Sequence, residues 1–352
     1  MRRRAFVGVV GGAGLWLAGW PASAALPPKH WAWVHGGGAR TLDDWRRFYA
    51  RLRAGGLHGV HVGGGDTALH SAAAREAGLV FSRWTWVLNR SGDAQVKAEH
   101  PEWFTVSREG QSSLTHPPYV PYYQWLCPTR PEVRRYLADQ IGASARDAAV
   151  DMMHLDYIRH CDVILPVALW ARYNLVQGRE LPPYDFCYCA VCREAFRART
   201  GRDPMTLPDP TQDMDWRRFR WDSVTGLVRD VARAVQGTGK PLSAAVFPTP
   251  AIARREVRQA WDEWPLDAVF PMTYHAFHNE GIGWIGNAVR EGLAALPAGR
   301  SLYAGLHLPD LPPADLGMAV RNAMNAGAAG VSMYEAGGLT DAHLAELASA
   351  VR

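Results

Sequence analysis

The stretch DMMHLDYIRH, residues 151–160, carries a short strand-like run, MMHL, directly into the carboxylate of Asp156. A strand covered on both faces reads as a brief, nearly continuous apolar run, and a bare charge inside one would be costly to desolvate. Asp156 is tolerable where such a strand stops and opens into a cleft. In a parallel β/α architecture that place is the carboxyl end of the strand, the face on which barrel active sites are assembled.

Seven other runs share the pattern. They are HWAWVH (30–35), LHGVHV (57–62), LVFSRWTWVL (79–88), LSAAVF (242–247), DAVFPMTYH (267–275), SLYAGLHL (301–308) and GVSMYEA (330–336). Amphipathic stretches alternate with them, such as TLDDWRRFYARLRAGG, opened by a Thr41 cap with acids in the first turn and closed by glycines. Eight strands alternating with helices predict a single-domain (β/α)8 TIM barrel in the α/β class. An open doubly wound sheet would place a GxGxxG turn after its first strand, and HGGG at 35–38 lacks that spacing. Two long insertions, 89–129 after strand three and 158 to about 221 after strand four, both leave carboxyl ends of strands.

The opening MRRRAFVGVVGGAGLWLAGWPASA reads as an export signal, residues 1–24, with an Ala22-Ser23-Ala24 cleavage pattern. Arg3-Arg4-Ala5-Phe6 fits the twin-arginine route, and the expected mature domain is 25–352, exported to the periplasm or beyond. The apolar run 6–20 is short and glycine-rich for a membrane span, and no later segment is apolar enough to cross a bilayer. The formal charge of +4 includes Arg2, Arg3 and Arg4, so the remaining chain carries no basic footprint for nucleic acid. Fifteen Trp and twelve Tyr supply flat amphipathic surfaces suited to a binding cleft as well as to a core.

The strand-four segment VDMMHLDYIRH resembles the DGIHLDYIRYP-type motif of bacterial glycosyl-hydrolase-like TIM barrels, which supplies an Asp at the place of Asp156. HPEWF (100–104), WLCPTRPEVRRYL (125–137) and CYCAVCREAFRARTG (187–201) agree in order, and PMTYH is similar to the Met-x-Tyr of related sugar-cleaving barrels. The chain departs from the motif after Arg159, where His160 and Cys161 replace Tyr-Pro. The resemblance implies a glycosidase acting on a polysaccharide or cell-envelope glycan, with no cofactor needed for its chemistry.

Glycoside hydrolysis ordinarily uses two carboxyl groups. Asp156 is the first, as nucleophile, base or electrostatic stabiliser, against a structural role as cap or partner of Arg159. Glu335, at the end of strand eight before two glycines, is the favoured second, with a cap or ion pair as its structural alternative; Asp66, after strand two, is the reserve. Asp151 belongs to the opposite end of the barrel. Trp84, Trp86, Tyr157, Arg159, Tyr274 and His275 are the candidate sugar contacts, with barrel core the competing role for the two tryptophans.

Two other functions fit the barrel. A metal-dependent amidohydrolase-like site is raised by His35, His154 and His307, but strand one lacks His-x-His and strand eight ends in Glu rather than Asp. A periplasmic glycan-binding barrel would need only the aromatics and Arg159. Five cysteines in an exported chain argue against a fully paired disulfide framework. Cys187, Cys189 and Cys192, completed by Cys161 or by Cys127, suit a structural zinc; buried thiols or one disulfide are the alternatives. Export in a folded state would let the metal enter in the cytoplasm.

Overall fold

The structure, a computed structural model, describes residues 30–350. The export segment inferred for residues 1–24 lies outside them. Eight parallel strands close into a barrel in chain order: β1 (His30–His35), β2 (Leu57–Gly63), β3 (Val80–Trp86), β4 (Met152–Asp156), β5 (Leu242–Val246), β6 (Ala268–Pro271), β7 (Ser301–His307) and β8 (Gly330–Tyr334), with β8 pairing back onto β1. The helices around it are α1 (Leu42–Ala54), α2 (Thr67–Glu76), α3 (Ala94–Glu99), α4 (Pro131–Arg146), α5 (Ala190–Thr200), α6 (Met214–Gln236), α7 (Pro250–Val257), α8 (Trp284–Ala295), α9 (Pro313–Asn325) and α10 (Asp341–Ala350). The start of α1 is fixed as the sequence reads: Thr41 and Asp44 cap each other's backbone N–H groups.

Two-residue periodicity sorts each strand between the barrel interior and the helix layer. On β1, Trp31 and Trp33 join the interior cluster, whereas Ala32 and Val34 join the outer one. On β4, Met152 points inward with the same parity as His154 and Asp156, and Met153 and Leu155 face the helices. The bulky interior residues of β1 and β3 are accommodated by glycines on β2. A Cβ at Gly59 would meet the Trp31 ring at 2.3 Å, and one at Gly63 the Trp84 ring at 2.7 Å. Large side chains therefore alternate with empty positions across neighbouring strands, and the interior fills without a pore.

Strand six is shorter than its apolar run. Regular pairing stops at Pro271, which has no N–H to donate, and Met272 keeps a single bridge to Gly305 before the chain tightens into a turn over His275–His278. Tyr274 and His275 thus sit on a connecting loop.

The two insertions occupy residues 87–130 and 157–213 and pack against each other. Ser107 bridges Phe186, Tyr188 donates its N–H to the Val106 carbonyl at 2.8 Å, and Arg108 donates its own to the Asp185 carbonyl at 2.9 Å. Behind them lies a buried ionic group in which Arg220 pairs with Asp185, and Arg258 with Glu180. Such pairs are costly to break singly, because the surviving charge would stay buried. The network fixes the second insertion to α6 and the end of α7. At the opposite end of the barrel, Asp151 binds Arg75 and accepts the Phe81 N–H at 2.9 Å, a structural role matching its position before β4.

The Gly59–Trp31 approach makes a direct prediction. Gly59→Ala forces a fully buried ring to move and should destabilise the barrel by about 1–3 kcal/mol, read as a lower denaturant midpoint; an unchanged midpoint would contradict the packing described.

Candidate active site

The β3–β4 register places Trp84 opposite His154 and Trp86 opposite Asp156. Trp84, Trp86 and Asp156 all line a cavity of about 200 Å³ at the carboxyl ends of the strands, with Trp84 buried and Trp86 at the more open rim. Trp84 Nε1 donates to Asp156 Oδ2 at 2.9 Å. Immediately beyond β4, Tyr157 adopts a left-handed conformation, φ 48°, which costs a non-glycine residue about 1 kcal/mol or more. That reversal turns the Tyr157 N–H back onto Asp156 Oδ1 at 2.6 Å. Both carboxylate oxygens therefore have fixed donors.

Burial nevertheless dominates and pushes Asp156 above the ordinary carboxylate value of 3.8, against the lowering effects of the Tyr157 N–H, Trp84 and Arg159. Tyr274 and Tyr334 stand close enough to feel its charge, as does Tyr157. The setting is an aromatic pocket lined by Asp156 and by Asp162, the latter paired with Arg159.

Glu335 approaches from the other side. Its Oε2 lies 3.1 Å from His35 Nε2, which also lies 3.4 Å from the Tyr334 hydroxyl, and the His35 ring packs against Trp84 with centroids 5.0 Å apart. The Tyr334 phenol is pushed up to about 12, first by burial and then by Glu335 and Asp156 together. One phenol thus stands in the field of both carboxylates. Glu335 is more exposed than Asp156 and flanks the cavity rather than lining it.

Asp66 and His275 fall elsewhere. Asp66 is the exposed N-cap of α2, accepting the Leu69 N–H at 2.9 Å, which gives its carboxylate a structural task outside the cavity. His275 is buried behind the wall that Tyr274, Phe277 and His278 present, because the turn after β6 rotates it away. Arg159 lines the cavity but is tied to Asp162 at 2.9 Å and stacked near Trp125, Tyr157 and Phe247.

His154 is a core residue. Trp33 Nε1 donates to its Nε2 at 3.1 Å, so its proton sits on Nδ1, 2.8 Å from Ser243 Oγ, and burial pushes its ionisation down to about 3. His307 pairs with Asp310. Among the described residues His35, His154 and His307 do not converge into a ligand group. The group that does converge is Cys127, Cys187, Cys189 and Cys192. Cys161 is not in it, because it lies in the turn that carries the Arg159–Asp162 pair; Cys127 takes the fourth place.

Several cavity residues have no clear sequence signal. Trp33 and Asp162 look like core and turn residues in the sequence. Tyr119 and Tyr123 come from the aromatic YVPYYQW segment, whose density of rings is the one available hint. Tyr122, half exposed beside Trp86, extends the aromatic rim.

No protein-family model matches the chain, and no curated protein sequence does. Solved structures match over nearly its whole length. The catalytic domain of β-amylase from Paenibacillus polymyxa superposes with a TM-score of 0.62 at 10% identity, covering 90% of this chain and 94% of that one. The glycoside hydrolase domain of PgaB (BpsB) from Bordetella bronchiseptica gives 0.58 at 16%, covering 92% and 97%. These structures share the closed (β/α)8 barrel fold of this chain. A class V chitinase from Pseudomonas fluorescens Pf-5 agrees, at 0.53 and 12% identity over 93% of this chain and 100% of that one. Among the described residues no helix is long and apolar enough to cross a membrane.

Behind the cavity wall, Glu256 is buried and pushed up to about 8, chiefly by burial. A carboxyl group whose folded value exceeds its ordinary 4.5 stabilises the fold fully below 4.5, and that contribution is lost as pH rises towards 8. Glu256→Gln should therefore melt at a higher temperature than the parent protein, by a margin that widens between about pH 4.5 and 8 and then levels off. A margin independent of pH would contradict the assignment.

Proposed function

We propose that the chain is an exported glycoside hydrolase in which Asp156 donates a proton to the glycosidic oxygen and Glu335 is the second carboxyl group. The observation that carries this reading is Asp156 itself: a carboxyl group at the carboxyl end of a barrel strand, held by two donors yet pushed upward by its aromatic surroundings. A carboxyl group that keeps its proton to higher pH is suited to acid catalysis, and a second, more solvated carboxylate is suited to act as base or nucleophile. Glu335 fits the second role through its exposure and its His35 contact. The Trp84, Trp86, Tyr157 and Tyr274 rings offer apolar faces to sugar rings, and Arg159, anchored by Asp162, presents its guanidinium at the cavity wall. The substrate class that fits is a polysaccharide or cell-envelope glycan.

The purified protein should release reducing ends from at least one glycan in a panel of bacterial and plant polysaccharides. Asp156→Asn should lower turnover by roughly 10²–10⁴-fold while leaving the folded circular dichroism intact. Normal turnover in that variant would refute the assignment. Glycan binding without cleavage by either protein would instead support the glycan-binding reading, in which the same aromatics and Arg159 serve without chemistry.

Trp84→Phe removes a donor that favours the ionised form of Asp156. The proton should then be held to higher pH, so the alkaline limb of the activity profile should move upward; a limb that stays in place or moves downward would show that Asp156 is not the acid.

A further inference from the structure

We propose that Cys127, Cys187, Cys189 and Cys192 bind a zinc ion that fastens the two cleft-forming insertions together. Their four sulfurs lie within 4.8 Å of one another, with Cys127 Sγ 3.4 Å from that of Cys192 and 3.8 Å from that of Cys189. A tetrahedral site with zinc–sulfur bonds of about 2.3 Å has sulfur–sulfur edges of roughly 3.8 Å. The spacing therefore matches a tetrahedron around one ion.

All four cysteines are buried in the main hydrophobic cluster, and a few polar groups reach them there. The Val106 N–H donates to Cys187 Sγ at 3.4 Å, and Cys192 Sγ donates to the Thr129 hydroxyl oxygen at 3.2 Å, an arrangement in which the Thr129 hydroxyl is within reach of the sulfur. Arg130 pairs through Nη1 with Glu132 at 3.2 Å and lies within the electrostatic reach of Cys127 and Cys189, and its Nε is buried without a hydrogen-bond partner. Four thiolates around a divalent cation leave two net negative charges, which a nearby guanidinium and a backbone N–H donor offset in part. An all-sulfur set favours zinc over hard cations such as magnesium or calcium.

The place of the ligands gives the ion a purpose. Cys127 ends the first insertion just before α4, whereas Cys187, Cys189 and Cys192 belong to the second insertion and the start of α5. None lines the cavity, but Tyr119 and Tyr123 on one insertion and Asp162, Leu165 and Tyr173 on the other do. An ion between them would hold opposite parts of one wall in register without touching substrate. This inference is independent of whether the chain cleaves a glycan.

The test is the metal content of the purified, exhaustively dialysed protein, with cobalt(II)-grown protein examined by absorption spectroscopy. Close to one zinc per chain is expected, released by a mercurial reagent in step with thiol modification, and the cobalt protein should show sulfur-to-metal charge-transfer bands with tetrahedral visible bands. Cys187→Ser and Cys192→Ser should lose the metal, and Cys161→Ser should keep it. If the first two variants fail to fold, the cobalt spectrum of the parent protein decides. Zinc no higher than the dialysis blank, a disulfide among the four cysteines, iron in place of zinc, a cobalt spectrum without sulfur ligation, or loss of metal in Cys161→Ser would each overturn the proposal.

Discussion

The hydrogen bond from Trp84 Nε1 to Asp156 Oδ2 is the interaction on which the site depends. It exists because β3 and β4 pair in parallel with Trp84 opposite His154, so residues of the same inward parity stand side by side. A shift of one residue in that register would turn Asp156 towards the helix layer and expose apolar residues to the cavity. The space for the Trp84 ring is in turn provided by Gly63 on β2, where any side chain would collide with it. Thus an empty position on one strand, a ring on the next and a carboxylate on the third form one dependent series.

The same series sets the electrostatic environment of the proposed acid. Two donors alone would hold Asp156 in its ionised form, but the residue is part-buried among the Tyr157, Tyr274 and Tyr334 rings, and the desolvation there outweighs the donors. Glu335, tied to His35 at the flank, experiences a wetter setting. Two carboxylates of the same chemistry are given different environments by the ends of different strands, and on that difference the proposed acid and its partner rest.

Much of this was legible in the sequence. Eight apolar runs alternating with amphipathic stretches predicted the closed barrel, and Asp156 was visible because a charge at the end of MMHL has few physical explanations. Boundaries were less legible where local chemistry interrupts a run: the apolar pattern of DAVFPMTYH continues past Pro271, yet the ladder cannot. That discrepancy moved His275 out of the cavity wall and brought Phe277 and His278 into it. Asp66 resembled a strand-end carboxylate but is the first cap of a helix, a role that a βα turn offers to any Asp placed there. Contacts between distant segments were not legible at all. The His35–Glu335 pair joins residues 300 positions apart in a barrel that must first close, and nothing in chain spacing distinguishes Cys127 from Cys161 as the fourth member of the cysteine group.

The central claim, that aromatic burial holds Asp156 as a proton donor, is tested most directly by following its side-chain carboxyl carbon by NMR as pH is varied, with Asp156→Asn assigning the resonance. A midpoint above the ordinary value of 3.8 is expected. A midpoint at or below that value would mean that the Trp84 and Tyr157 donors outweigh burial, and Asp156 would then be a permanently ionised group rather than an acid.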